Sequence, residues 1–146
     1  MIIPTLESAL AQAIAKLGCD SGTIHLKQAS ADVLELVAYK QVPASLVGFV
    51  REIPWGKGIA GIAAERGEPV SYYDLQSENT SDIHPRARAT GMRGAIVVPM
   101  MIGAEVVGTI GIASRYEREF SPSDVEWLMA FGRKLAEDSG EQRLAA

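Results

Sequence analysis

Ala95-Ile96-Val97-Val98-Pro99-Met100-Met101, followed after Ile102-Gly103-Ala104 by Glu105-Val106-Val107-Gly108-Thr109-Ile110-Gly111-Ile112-Ala113-Ser114, is the stretch that decides the fold. The two runs are β-rich, and a glycine at the first central position of Gly103-Ala104 suits a two-residue type II′ hairpin turn. A strand with one wet face alternates apolar and polar residues, whereas these runs are apolar at nearly every position. Both strands are therefore predicted to be central in a sheet covered on both faces.

On the C-terminal side, Ser121-Pro122-Ser123-Asp124 combines an N-cap serine, a proline at the first helical position and an acid at the third. It predicts a strong terminal helix. Along it, Val125, Leu128, Met129, Phe131 and Leu135 make an apolar stripe wider than one seam against a sheet requires, so part of it is expected to face another chain.

On the N-terminal side, the polar, irregular run from Asp74 to Gly91 holds a short helix through Arg86 to Thr90, capped by Ser81 or Asp82. Val70 to Tyr73 fits a brief strand. Trp55-Gly56-Lys57-Gly58 supplies a tight turn, and Ile59 to Arg66 a short helix stopped by Gly67 and Pro69. The segment between Pro43 and Pro54 reads either as a short helix or as an irregular edge. Ser21 to Lys27 and Val33 to Lys40 alternate as a hairpin pair. Thr5 caps a first helix carrying Leu6, Leu10, Ile14 and Leu17, and Gly18 stands where a left-handed terminator belongs.

The bulk properties bound the function. At 146 residues, 47% hydrophobic and 22% charged, the chain has ordinary globular composition. A chain of this length buries about 70% of its unfolded surface in one core. No apolar run reaches the ~20 residues of a bilayer span, and Met1-Ile2-Ile3-Pro4 lacks the pattern of a signal peptide, which together predict a cytoplasmic protein with no membrane partner. A net charge of −4 supplies no electrostatic footprint for nucleic acid. The single cysteine, Cys19, has no partner for a disulfide, a thiolate cluster or redox exchange. No metal spacing, catalytic triad, phosphate loop or carboxylate pair is present, so neither cofactor nor metal is expected.

The order helix, hairpin, glycine turn with short helix, short strand, irregular loop with helix, long hairpin, helix resembles the GAF fold. The resemblance is carried by Gly22-Thr23-Ile24-His25-Leu26, Ile53-Pro54-Trp55-Gly56-Lys57-Gly58-Ile59-Ala60-Gly61, Val97-Val98-Pro99-Met100, Val106 to Ile112, and Phe120-Ser121-Pro122-Ser123-Asp124. It implies an α/β (α+β), GAF/PAS-like central antiparallel sheet. The terminal helices lie on one face, and loop-helix segments cover a ligand pocket on the other. Residues 5–137 form a single domain in this reading and 138–146 a polar tail.

The family contains several activities, and particular residues argue against some. Cyclic-nucleotide binders carry Asn-Lys and Phe-x-x-x-Asp-Glu; Phe120 and Asp124 match, but Val125 replaces the Glu and Ser114-Arg115 the Asn-Lys. No cysteine follows Cys19, which argues against a covalent bilin. The GAF-fold reductases of free methionine sulfoxide, which the glycine turn also resembles, carry Gly-Val-Cys-Gly where Gly58-Ile59-Ala60-Gly61 stands here. Ala60 removes the sulfur that such a reduction needs.

The resemblance therefore implies a sensor without chemistry of its own, binding an unknown small molecule. It would pair as a homodimer through its first and last helices and signal to a kinase or a transcription regulator. The alternative is an interaction and dimerisation module with a vestigial pocket. Candidate ligand-binding residues are Trp55, Tyr73, Asp74, His84, Arg86, Met92 and Arg93. Among them the arginines suit a carboxylate, because a guanidinium matches it with two parallel hydrogen bonds. Trp55 reads first as a plug at the turn and second as a pocket wall. His25 alternates with Ile24 and Leu26 and so points away from their face, toward either the pocket or the helical layer.

Overall fold

The computed structural model describes residues 5–78 and 83–145, with side chains described through Ser139. Six strands, β1 (Ser21–Lys27), β2 (Val33–Lys40), β3 (Glu52–Pro54), β4 (Val70–Tyr72), β5 (Gly94–Ile102) and β6 (Glu105–Ser114), form one antiparallel sheet in the order β3-β2-β1-β6-β5-β4. The central position predicted for the Gly103 hairpin is observed. Val98 faces Ile110 in the ladder, and Gly103 adopts φ 61° with no positive φ at Ala104, as a type II′ turn requires.

Five helices cover the sheet: α1 (Leu6–Lys16), α2 (Ala44–Val50), α3 (Gly58–Arg66), α4 (Pro85–Ala89) and α5 (Pro122–Ala145). The segment that read two ways is both things in turn, a helix (α2) and then an edge strand (β3) paired to Val33–Glu35. Helix α5 continues through the stretch that was set apart as a tail. Ser81 and Asp82, expected to cap α4, lie outside the described residues. The N-cap of α4 is His84, whose Nδ1 accepts from the Arg86 N–H at 3.1 Å.

Two other caps follow from their residues. Thr5 Oγ1 accepts from the Ser8 N–H at 3.1 Å. Ser121 Oγ accepts from the Asp124 N–H while Asp124 Oδ2 accepts from the Ser121 N–H, both at 3.1 Å, a reciprocal box worth about 1 kcal/mol per bond.

The two faces of the sheet differ in side-chain size. Ile24, Leu26, Ile96, Val98, Met100, Ile110 and Ile112 pack against Leu10, Ala13 and Ile14 of α1 and Leu128, Leu135 and Ala136 of α5, forming the main core. The alternate positions are Ser21, Thr23, His25, Ala95, Val97, Gly111 and Ala113, mostly small or polar, and they face α2, α3 and α4. A smaller cluster of Leu75, Ile83 and Ala95, with Ile59, Tyr72, Ala87, Met92 and Ala113 packed on it, closes that side. On α5, the half-buried Trp127 and Phe131 stack at 4.8 Å, and the Lys16 ammonium lies 5.9 Å from the Trp127 ring.

Gly61 shows why the glycine turn is glycine. A Cβ there would overlap the Pro54 carbonyl oxygen, so α3 approaches β3 only without one. Gly48, exposed within α2, has open space around a Cβ. Urea denaturation should therefore show Gly61→Ala destabilised by about 1–3 kcal/mol and Gly48→Ala stabilised by up to about 1 kcal/mol. A neutral Gly61→Ala would mean that the close approach is not a constraint.

Candidate ligand pocket

Because the residues on the second face of the sheet are small, the helices above it enclose a cavity of about 490 Å³. Its floor is formed by Thr23, His25, Val97, Gly111 and Ala113. Its walls come from Leu46, Phe49 and Val50 of α2, Ile53 of β3, the first turn of α3, and Arg86, Ala87 and Thr90 at α4. The lining is predominantly apolar, with Lys57, Arg86 and Glu52 as charged members.

His25 is the buried polar feature, 1% exposed, and its Nε2 lies 2.7 Å from the Val50 carbonyl oxygen. A carbonyl only accepts, so Nε2 carries the proton and donates. Val50 ends α2, where helix carbonyls lack intrahelical donors, so this bond ties α2 to the floor. Burial lowers the pKa of the ring below its ordinary value, against the smaller opposing effect of the Val50 bond, and the imidazole is neutral. Its Nδ1 is thereby an acceptor, and it has no hydrogen-bond partner among the described residues.

Across the cavity the Arg86 guanidinium stacks 3.5 Å from the centre of the half-exposed Phe49 ring, linking α4 to α2. Below α4, Gln76 Nε2 donates to the Arg88 and Met92 carbonyls at 2.9 and 2.8 Å.

The candidate residues named from sequence divide into two groups. His84, Arg86 and Met92 line the cavity, while Trp55, Tyr73, Asp74 and Arg93 do not. Trp55 sits half-buried at the turn after β3, its N–H donating to the Asp32 carbonyl at 2.9 Å. Tyr73, Asp74 and Arg93 belong to a separate polar cluster. Arg93 Nη2 donates to Asp74 Oδ2 at 2.7 Å and lies 3.4 Å from Glu117, which also accepts from the Tyr73 hydroxyl at 3.2 Å.

Burial alone would push the Asp74 carboxyl up. Hydrogen bonds from Arg93, the Gln76 N–H and the Ser77 hydroxyl outweigh it and hold the group below the usual carboxylate range. Arg93 is thus engaged as the counter-ion of a carboxylate only 3% exposed. Sequence reasoning left out Thr23, Phe49 and Lys57, and left the face of His25 open; the small-against-large alternation in β1, β5 and β6 was the available clue.

Cys19 lies on the opposite side of the sheet, packed against the helical core, its thiol donating to the Leu17 carbonyl at 3.6 Å. Burial pushes that thiol up, against the pull of Arg118. Ala60, by contrast, lines the cavity. Among the described residues no group of three or more His, Cys, Asp or Glu is placed to hold a metal ion, and no helix is long and apolar enough to cross a membrane.

A sheet with paired terminal helices behind it and short helices over a pocket in front defines a GAF-type domain. Solved structures share it. The GAF domain of an Acinetobacter phosphoenolpyruvate-protein phosphotransferase superposes with a TM-score of 0.79 at 19% identity, over 96% of this chain and 82% of the other. Free methionine-R-sulfoxide reductase from Neisseria meningitidis, in complex with its substrate, gives 0.79 at 23% identity over 97% and 79%. The A. aeolicus nlh2 GAF domain in an inactive state gives 0.68 at 18% over 94% and 83%. At these identities the likeness is one of fold.

The GAF domain family model matches residues 4–137, and the chain belongs to that family. GAF domains are commonly sensory or regulatory parts of signalling proteins. No curated protein matches the sequence.

The lowered pKa of His25 has a thermodynamic consequence. Its folded value lies below the unfolded value of about 6.5, so the unfolded chain binds the extra proton. Its contribution to stability is complete above that pH and declines as pH falls toward the folded value. The melting temperature should drop between pH 8 and pH 5, and His25→Gln should remove His25's share of that slope. Parallel slopes in the two proteins would show that His25 is not held neutral. The depressed carboxyls of Asp74 and Asp124 act only below about pH 4, outside this window.

Proposed function

We propose that this chain is a non-catalytic small-molecule-sensing GAF domain in signal transduction, whose pocket occupancy is coupled to a homodimer formed through α1 and α5. The observation that carries the reading is the apolar cavity of about 490 Å³ that the short helices roof over the small-residue face of the sheet, with few polar groups in its lining. Such a cavity with a few placed polar groups is the usual form of a small-molecule site. Two relatives lend support: the Neisseria reductase, solved with its substrate, shows that this fold accommodates a small molecule, and the A. aeolicus domain is described in an inactive state.

The non-catalytic part rests on sulfur. Thiol-based reduction needs a thiolate at the ligand, and the one cysteine lies behind the sheet while Ala60 faces the cavity. The output partner on this reading is a kinase or a transcription regulator, in the cytoplasm.

A second reading, an interaction module with a vestigial pocket, draws on the aromatic ridge of α5, where Trp127 and Phe131 remain partly exposed.

Thermal melts across a broad metabolite panel separate the two. A true ligand at a hundredfold its Kd adds about 2.7 kcal/mol and raises the melting temperature by several degrees. Flat melts for every compound would leave the second reading. Sedimentation velocity at micromolar concentration should show a dimer; a monomer at every concentration removes the proposed coupling.

A further inference from the structure

The lining of the cavity sorts by exposure into a charged rim and an apolar interior. Glu52, Lys57, His84 and Arg86 are exposed, so water keeps their polar ends solvated. Arg86 is moreover laid against the Phe49 ring. Further in, most polar side chains are already bonded or shut away. His25 donates through Nε2 to the Val50 carbonyl, and its Nδ1 exposes less than 1 Å² and meets no occupant. Thr90 Oγ1 donates to the Ala87 carbonyl at 2.6 Å and accepts from the Met92 N–H at 3.1 Å. The hydroxyls of Ser21 and Thr23 remain, and Ser21 is only 6% exposed.

The rest of the interior surface is apolar, with Leu46 and Val50 of α2, Ile53 of β3, Ile59 of α3, and Met92 and Val97. Its depth comes from residues without bulk at the floor, Ala95, Gly111 and Ala113. A charged molecule, or one with many hydroxyls, would give up its water here for one or two hydroxyl partners, and an unpaired polar group is costly to bury. An apolar molecule has no such loss, and its entry removes both its own surface and that of the lining from water. The volume of about 490 Å³ is some three times the ~150 Å³ that holds benzene in an apolar protein interior.

We infer that the pocket takes a neutral, apolar molecule the size of a two-ring aromatic or a branched hydrocarbon of about ten carbons, selected by shape and burial and not by charge. This ligand class rests on the sensing reading and deepens it.

Matched probes test it in the intact protein: naphthalene and p-cymene, their carboxylates 2-naphthoate and 4-isopropylbenzoate, and the ammonium form of 4-isopropylbenzylamine, titrated with methyl NMR as the readout. The hydrocarbons should bind at least about tenfold tighter than any charged counterpart, with intermolecular NOEs to the methyls of Val97 and Ala113. Ala60→Leu, which fills part of the space, should weaken hydrocarbon binding by about tenfold or more and raise the melting temperature of the free protein by a few degrees. Val97→Phe fills it from the floor and should do the same, which covers the case of a first variant that does not fold. Charged probes that bind as tightly as the hydrocarbons overturn the inference, and so do hydrocarbon contacts that avoid Val97 and Ala113 and survive the fillers. If no hydrocarbon binds while other metabolites raise the melting temperature, this ligand class is wrong and the sensing reading stands. If nothing of any kind binds, both fall.

Discussion

The pairing of β5 with β6 is the constraint on which the rest depends. Val98 opposite Ile110 and Ile96 opposite Ile112 place a double row of branched side chains on one face at the middle of the sheet, and these must leave water. On one face α1 and α5 fill the space against large side chains. On the other the same two strands offer Ala95, Val97, Gly111 and Ala113, and side chains this small leave a volume that short helices roof without filling. The cavity is thus a consequence of side-chain size at alternate positions of strands whose pairing is fixed by the opposite face.

Local chemistry made much of this legible in sequence. Thr5, Gly18, Gly67 and the Ser121-Asp124 box mark helix ends through backbone requirements that do not depend on tertiary context, and they sit where expected. The site was less legible, for a physical reason. An arginine in a polar loop announces a charge but not its partner. Arg93 is taken up by the buried Asp74, nineteen residues away, whereas Arg86 stays open to the cavity because it stacks on an uncharged ring. His25 could be assigned to a face of its strand, but choosing between the two faces needs knowledge of where α2 ends, since it is the Val50 carbonyl that sets the tautomer.

The resemblance to a sulfoxide reductase carries a lesson about what a fold transmits. The Neisseria enzyme shares this architecture across 97% of the chain, yet chemistry at sulfur requires a thiolate at the reacting atom. Here Ala60 lines the cavity, and the single thiol, Cys19, packs with the helical core behind the sheet. The side chains that line the cavity offer hydrogen bonds and charge, with no sulfur nucleophile among them.

Which cover of the cavity yields first depends on which is least stable by itself. Helices α2 and α4 have seven and five residues, too short to persist alone in water, and α4 buries no side chain. They are held by point contacts: His25 to Val50, Arg86 on Phe49, and Gln76 to the Arg88 and Met92 carbonyls. The helical layer behind the sheet, by contrast, is anchored by Leu10, Leu128 and the stacked Trp127 and Phe131. Helix α2 leads through β3 to the edge of the sheet, and α4 leads through Met92 into β5, on which α5 packs at Gly132, where a Cβ would come within 3.4 Å of Met100. An occupant of the cavity would shift the balance between an ordered and a loosened roof only through a difference in its affinity for the two.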